Sequence, residues 1–230
     1  MDLKKVLFVL FLTSYVLQFS NSNAQPQNSG IGFDLGIGYS NFSPYESNNS
    51  FAIQNDDFKN AATFSVGIHF YLSNKLAVFS RVNYLESSVK HEQIITTEVN
   101  ELLAVVEDEF TVSSLPVALG IRYDSAIGKL TLTAELSAEY HFAKQSYEFP
   151  GFKERSIPGI KQKEKQTGFG FALAAGPKWK VSSSLTLVGK TGYRFAEISE
   201  FEGNNDGFLL KDVTYDFSGI FFEVGVRIHP

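Results

Sequence analysis

Eight stretches of this chain alternate large apolar residues with small or polar ones at a period of two. A strand built that way carries one greasy face and one that is not. The fifth stretch is the plainest, with Leu130, Leu132, Ala134, Leu136, Ala138, Tyr140 and Phe142 opposing Thr131, Thr133, Glu135, Ser137, Glu139 and His141. In the first, Ile31, Phe33, Leu35, Ile37 and Tyr39 oppose Gly32, Asp34, Gly36, Gly38 and Ser40. The same pattern recurs over 62–72, 76–84, 115–123, 168–179, 185–195 and 219–228. The connections between these stretches are sorted by length. Ser73–Lys75, Asp124–Lys129 and Val181–Ser184 are short, whereas Asn41–Ala61, Lys90–Phe110, Ala143–Gln166 and Glu197–Asp216 are long. An even number of strands with tight turns on one side and long loops on the other predicts an all-β fold, an eight-stranded antiparallel up-and-down transmembrane β-barrel with both termini in the periplasm.

Alternation alone does not say which face is inside, and a soluble ligand-binding barrel would turn the apolar one inward. Volume decides. The eight stretches carry about 37 large apolar side chains on one face, and an eight-stranded bore is only just wide enough to be filled by side chains. The opposite face is rich in Gly, Ala and Ser. Glycine weakens an exposed strand to no purpose but makes room in a narrow interior. The apolar face is therefore expected to meet lipid. Tyr39, Phe64, Tyr84, Tyr140, Phe142, Phe169, Tyr193 and Phe195 fall near the long-loop ends of that face, and Phe70, Tyr123 and Trp179 near the short-turn ends, where headgroup-level aromatic girdles belong.

The small-residue face holds Asp34, Arg81, Arg122, Glu135, Glu139, Lys178, Lys180, Lys190, Arg194, Glu223 and Arg227. Charges in a confined, poorly hydrated bore must be paired or hydrogen-bonded, so these residues are expected to form a structural network that plugs the lumen. The alternatives are a polar channel and a pocket for an anionic ligand. Lys190 and Glu223 fall at similar heights on the seventh and eighth strands. Asp34 and Arg227 meet where the last strand closes on the first.

Several chemistries are excluded. The chain has no Cys, which rules out disulfides, thiolate metal sites, a thiol nucleophile and a lipoprotein anchor. Four His without HxH or HxxxH spacing give no metal site. His69 and His141 face inward near opposite ends of their strands with no hydrolase motif around them, so no enzyme and no cofactor is expected. A net charge of −5 argues against nucleic acid.

The amino terminus reads as an address. Lys4 and Lys5 precede an apolar run from Val6 to Phe19, and Ser22-Asn23-Ala24 precedes Gln25. This is the layout of a signal peptide cleaved after Ala24, too short for a spanning helix. It leaves 25–230 as one barrel domain. The long loops differ in charge: net −5 over 90–110, +3 over 143–166 and −5 over 197–216. One reading has the basic loop pair with its acidic neighbours and close the barrel top; another has the acidic clusters hold divalent cations that bridge lipopolysaccharide, although no D-x-D-x-D-G loop is present. The apolar residues from Ile94 to Val106 are expected to extend the strands above the membrane, with a short helix over Val99–Val106 as the alternative. The loops are the candidates for contact with a protein partner.

Three features carry a resemblance: the leader ending Ala24-Gln25; the run Ser114-Leu115-Pro116-Val117-Ala118-Leu119-Gly120-Ile121-Arg122-Tyr123; and the last strand, Glu223-Val224-Gly225-Val226-Arg227-Ile228-His229-Pro230. With these the chain resembles the small outer-membrane β-barrel family common in Bacteroidota, which includes PorT-like proteins. The terminal Pro230 departs from the usual aromatic ending. The resemblance implies outer-membrane lipid as surroundings and the barrel-assembly machinery as a partner during biogenesis. It implies a structural or interaction role, or alternatively a secretion accessory or small-solute channel, and carries over no catalytic residues.

Overall fold

The computed structural model describes residues 30–41, 46–47, 60–96, 102–127, 130–151, 158–201 and 213–229. The expected leader lies outside the described residues. Eight strands close a barrel in the order β1 (Ile31–Asn41), β3 (Asn60–Tyr71), β4 (Leu76–Thr96), β5 (Leu102–Ile127), β6 (Leu130–Phe149), β7 (Ile160–Lys180), β8 (Leu185–Phe195) and β11 (Gly219–Ile228), which returns to β1. Every pairing is antiparallel. Three short strands, β2 (Glu46–Ser47), β9 (Glu197–Phe201) and β10 (Val213–Asp216), form a separate small sheet. The eight-stranded antiparallel barrel read from the alternation is thus the observed architecture.

The short-turn rim is tied by backbone bonds, Tyr71 N to Gly30 O, Asp124 N to Lys75 O and His229 N to Ser184 O, so the first and last strands end at the same rim as the tight turns. The apolar face is outside. Ile37, Phe169, Trp179 and Val224 are more than half exposed, while Arg122, Arg227, His69 and His141 are fully enclosed. In a membrane protein, exposure of that kind is exposure to lipid, because every backbone group is satisfied inside the closed ladder and only hydrocarbon need be met outside.

The strands run longer than the connections drawn from the sequence allow. The stretches read as loops over Lys90–Phe110 and Ala143–Gln166 are largely strand: β4 and β5 stay paired up to Thr96 and Leu102, and β6 and β7 up to Phe149 and Ile160. The apolar run from Ile94 does extend the strands, to Thr96 on β4 and from Leu102 on β5, as expected of it, rather than forming the helix held as the alternative over Val99–Val106. Asp124, read as the start of a turn, lies within β5, which runs on to Ile127. Lys180, placed with the interior charges, is the last residue of β7 and is exposed at the rim.

The extended parts keep the alternation but reverse its polarity. Along β4, Leu85 is buried while Glu86, Ser88 and Lys90 point out; along β5, Phe110 and Val112 point in while Glu107 and Glu109 point out. The outward residues of this part are polar, as suits a surface in water, and its enclosed face is the apolar one. Leu85, Phe110, Val112 and Ala143 form a core there with Ala61, Ala196, Ile198, Tyr215 and Phe217. The last four belong to the segment between β8 and β11, which turns in across the barrel mouth at β9. A Cβ on Gly168 would crowd the Ile198 side chain, so the bare backbone of β7 lets that crossing lie close.

Candidate functional site

The bore is the one part of the described molecule where charged side chains converge away from water, and its walls are set by strand register. Because β-strand side chains alternate, Asp34, His69, Arg81, Arg122, Asp124, Glu135, Glu139, His141, Lys178, Lys190, Arg194, Glu223 and Arg227 all project inward, drawn from all eight barrel strands. They meet in three layers.

The layer nearest the short-turn rim centres on Asp34. Arg227, its cross-strand neighbour, donates from Nε to Oδ1 at 2.6 Å and from Nη2 to Oδ2 at 2.7 Å, a two-pronged geometry that only a guanidinium offers. The His69 imidazole contacts the same carboxylate through Nε2. Its Nδ1 lies 2.7 Å from Arg122 Nη1. Both contacts are met by the tautomer that donates from Nε2 and accepts at Nδ1. Arg122 Nε is 3.4 Å from Asp124 Oδ1, Lys178 also bonds Asp124, and the Arg122 guanidinium lies 5.0 Å from the Tyr71 ring centre.

In the middle layer Glu135 on β6 accepts from Arg81 on β4 at 2.7 Å and lies 3.4 Å from Lys190 on β8. Lys190 reaches Glu223 on β11 at 2.8 Å. In the upper layer Arg194 Nε donates to Glu139 at 2.6 Å, His141 Nε2 is 3.3 Å from the same carboxylate, and Ser114 Oγ is 3.0 Å from His141 Nδ1. Arg81–Glu135 and Arg194–Glu139 each skip an intervening strand, so they brace the bore from wall to wall.

Two inward phenyl rings complete the packing. Phe79 lies under Arg81 at 4.7 Å and Phe221 under Arg194 at 5.3 Å, close enough for a favourable cation–π contact. Each ring needs a glycine opposite: a Cβ at Gly120 would stand 2.5 Å from Phe79, and one at Gly192 2.6 Å from Phe221. The gap left among Arg81, Asn83, Glu135, Ser137, Glu139, Arg194 and Glu223 has room for about one water molecule.

The sequence-read residues Asp34, Arg81, Arg122, Glu135, Glu139, Lys190, Arg194, Glu223 and Arg227 therefore stand in these three layers, with Asp34 against Arg227 and Lys190 against Glu223. Sequence reasoning missed Asp124, which two-residue spacing from Arg122 would have flagged, and the ring–guanidinium pairs. It left His69 and His141 as isolated residues. Ser114, His141 and Glu139 form a hydroxyl–imidazole–carboxylate chain, but all three are buried beneath Phe217, whose ring lies 6.0 Å from that of His141. A nucleophile must reach a substrate, and this one is roofed over by the chain itself. Among the described residues no group of three His, Asp or Glu side chains is placed to hold a metal ion.

The sequence model of the outer membrane protein beta-barrel domain matches residues 19–198. No curated protein sequence matches the chain. Among solved structures, the outer membrane protein OprG from Pseudomonas aeruginosa shares 11% identity, covering 90% of this chain and 99% of that one, with a TM-score of 0.54. A major outer membrane protein from Thermus thermophilus shares 12% identity over 87% of this chain and 99% of that one, at 0.50. The outer membrane protease OmpT from Escherichia coli shares 9% over 91% and 99%, at 0.49. Identities this low express a common fold.

Proposed function

The chain belongs to the outer membrane protein β-barrel family, and from that premise we propose that it is a closed, non-conducting barrel whose role is structural and interactive. It sits in the outer membrane. In this reading the short-turn rim and both termini face the periplasm, and the extended strands stand above the outer leaflet. The observation that supports it best is the sealing of the bore. Ion pairs cross the bore in three layers, the gap between the middle and upper ones holds about one water, and above them lies an apolar core built partly from the chain's own incoming segment. A solute would have to part both. Planar-bilayer recording tests this: the full-length mature protein should add no discrete conductance steps. Steps that persist after repurification, with an ion selectivity altered by Arg194→Gln, would replace the plug with a channel.

Residues 1–24 act, in this proposal, as a cleaved leader, so the mature chain should have the mass of 25–230. The assembly machinery acts on β11, whose closure onto β1 completes the barrel. The extended strands and the segments between them are the surface offered to a protein partner. The narrower likeness to PorT-like secretion accessories rests on the patterns of the fourth and last barrel strands. Recovery of secretion components with the barrel from native membranes would favour it. No catalytic role is assigned to Ser114, His141 or Glu139.

A further inference from the structure

The outward face of β6 and β7 just above the lipid-facing rings is unusually basic. Tyr140, Phe142 and Phe169 form an edge-on cluster, with ring centres 4.9–5.0 Å apart, and Phe169 is 75% exposed. Register stacks rows above it. Phe142 opposes Thr167; the next outward row sets Lys144 directly against Lys165; the one above sets Ser146 against Lys163; the one above that sets Glu148 against Lys161.

Lys161 has its counter-ion, since its ammonium bonds Glu148. Lys144, Lys163 and Lys165 have no acidic side-chain partner among the described residues. Glu164, between two of these lysines in sequence, lies on the inward face and is bonded by Gln145. In the row of Lys144 the carboxylate is Glu86 on β4, two strands away, roughly 9–10 Å at the usual strand spacing, and it is already taken by the Tyr84 hydroxyl. Two ammonium groups directly opposed across a strand pair repel each other. That arrangement is relieved when an anion sits between them.

The height of the row says which anion. Lys144 and Lys165 stand one outward row above Phe142 and Thr167, roughly 7 Å along the strand, at the level where a headgroup meets a hydrocarbon boundary marked by aromatic rings. A ligand held here lays its apolar part on Phe169 and Phe171 and its charge on the lysines. We propose that Lys144, Lys163 and Lys165 bind the phosphate groups of an outer-leaflet glycolipid headgroup. Lysine suits the task as a flexible point charge on a long stem. The β4–β5 pair turns Glu86, Glu107 and Glu109 outward at comparable heights, so among the described residues it offers no comparable cluster of lysines.

The test uses the full mature chain folded in detergent micelles, with diphosphorylated lipid A, dephosphorylated lipid A and inorganic phosphate as probes. The protein should bind the diphosphorylated lipid and bind the dephosphorylated one far more weakly. Millimolar phosphate should not displace the lipid. The triple variant Lys144→Gln/Lys163→Gln/Lys165→Gln should bind about a hundredfold more weakly, at the few-fold contribution per lysine found near anionic membrane surfaces. Lys90→Gln should bind as the parent does. Heat-modified gel mobility reports folding of each variant. If the triple variant does not fold, Lys165→Gln should show a loss of about fivefold, and the triple lysine-to-arginine variant should retain binding. Equal binding of both lipid A forms, displacement by free phosphate, or unchanged affinity in the folded glutamine variants would overturn the proposal.

Discussion

The membrane-embedded and outer parts of the same strands can be set side by side on β6. From Leu130 to Phe142 hydrocarbon points out and Glu135, Glu139 and His141 point in. From Ala143 to Phe149 the outward residues are Lys144, Ser146 and Glu148, and Ala143 points into an apolar core. The backbone does not register the change, for the pairing of β6 with β7 runs unbroken through it. What changes is the solvent. In lipid the outer surface must be apolar and a small bore can afford ions only in pairs. In water the enclosed face gains by being apolar. In the proposed placement, the reversal at Phe142 and Thr167 on β6 and β7, and at Tyr84 and Glu86 on β4, is where the membrane ends on the long-strand side.

The largest effect that would break this comparison lies in the bore. Asp34→Ala leaves Arg227 without its two hydrogen bonds and His69 without its carboxylate, in a space that gives them no water. Removing one partner of a buried pair costs about 3–5 kcal/mol. The urea midpoint of the protein folded in lipid vesicles should fall accordingly. A fall of less than about 1 kcal/mol, the range of exposed pairs, would mean that water reaches this layer freely.

Next comes the outer face. Leu136→Arg puts a charge against hydrocarbon near the middle of β6 and should cost about 2–4 kcal/mol. Ser146→Arg, on the same face of the same strand but above the boundary, should shift stability by no more than about 0.5 kcal/mol. If the two variants unfolded alike, the boundary would not lie between these residues.

How far the sequence discloses all this follows the same line. Barrel architecture is legible because period two is local and because a count of large side chains decides inside from outside. Charges on adjacent strands, such as Lys190 and Glu223, are legible because equal heights on neighbouring strands can be counted along the alternating stretches. Arg81 to Glu135 and Arg194 to Glu139 are not, because their meeting depends on the width and stagger of the closed barrel, which no local pattern encodes. Outside the apolar run from Ile94 to Val106, the extended strands look like loops in the sequence for a different reason. Leu85, Glu86, Ser87, Ser88, Val89 and Lys90 still alternate, but the faces have exchanged character, and a search for apolar residues on one fixed face stops where the lipid does. Ile198 and Phe217 lie in short alternating runs, Ala196-Glu197-Ile198 and Val213-Thr214-Tyr215-Asp216-Phe217, but their burial depends on the chain turning back into the mouth, which those runs do not encode.

The smallest expected effect sharpens the comparison most, because it holds geometry nearly constant. Lys90 donates to Glu107 at 2.5 Å above the membrane, and Arg81 donates to Glu135 at 2.7 Å inside the bore. Both lysine and glutamate of the upper pair are more than half exposed. The Glu107 carboxylate, through its hydrogen bond and its charge, holds the Lys90 ammonium above the ordinary lysine range. Water screens such a pair and solvates either partner left alone, so Lys90→Gln should leave the urea midpoint where it was, at low salt and at high. Arg81→Gln, by contrast, leaves the buried Glu135 with only the longer 3.4 Å contact to Lys190 and should lower the midpoint by about 3 kcal/mol. Bond length is then no guide to stabilisation in this barrel. What decides is whether the abandoned partner can find water, and a drop in the Lys90 variant as large as that in the Arg81 variant would show that the outer sheet is shielded from solvent as well.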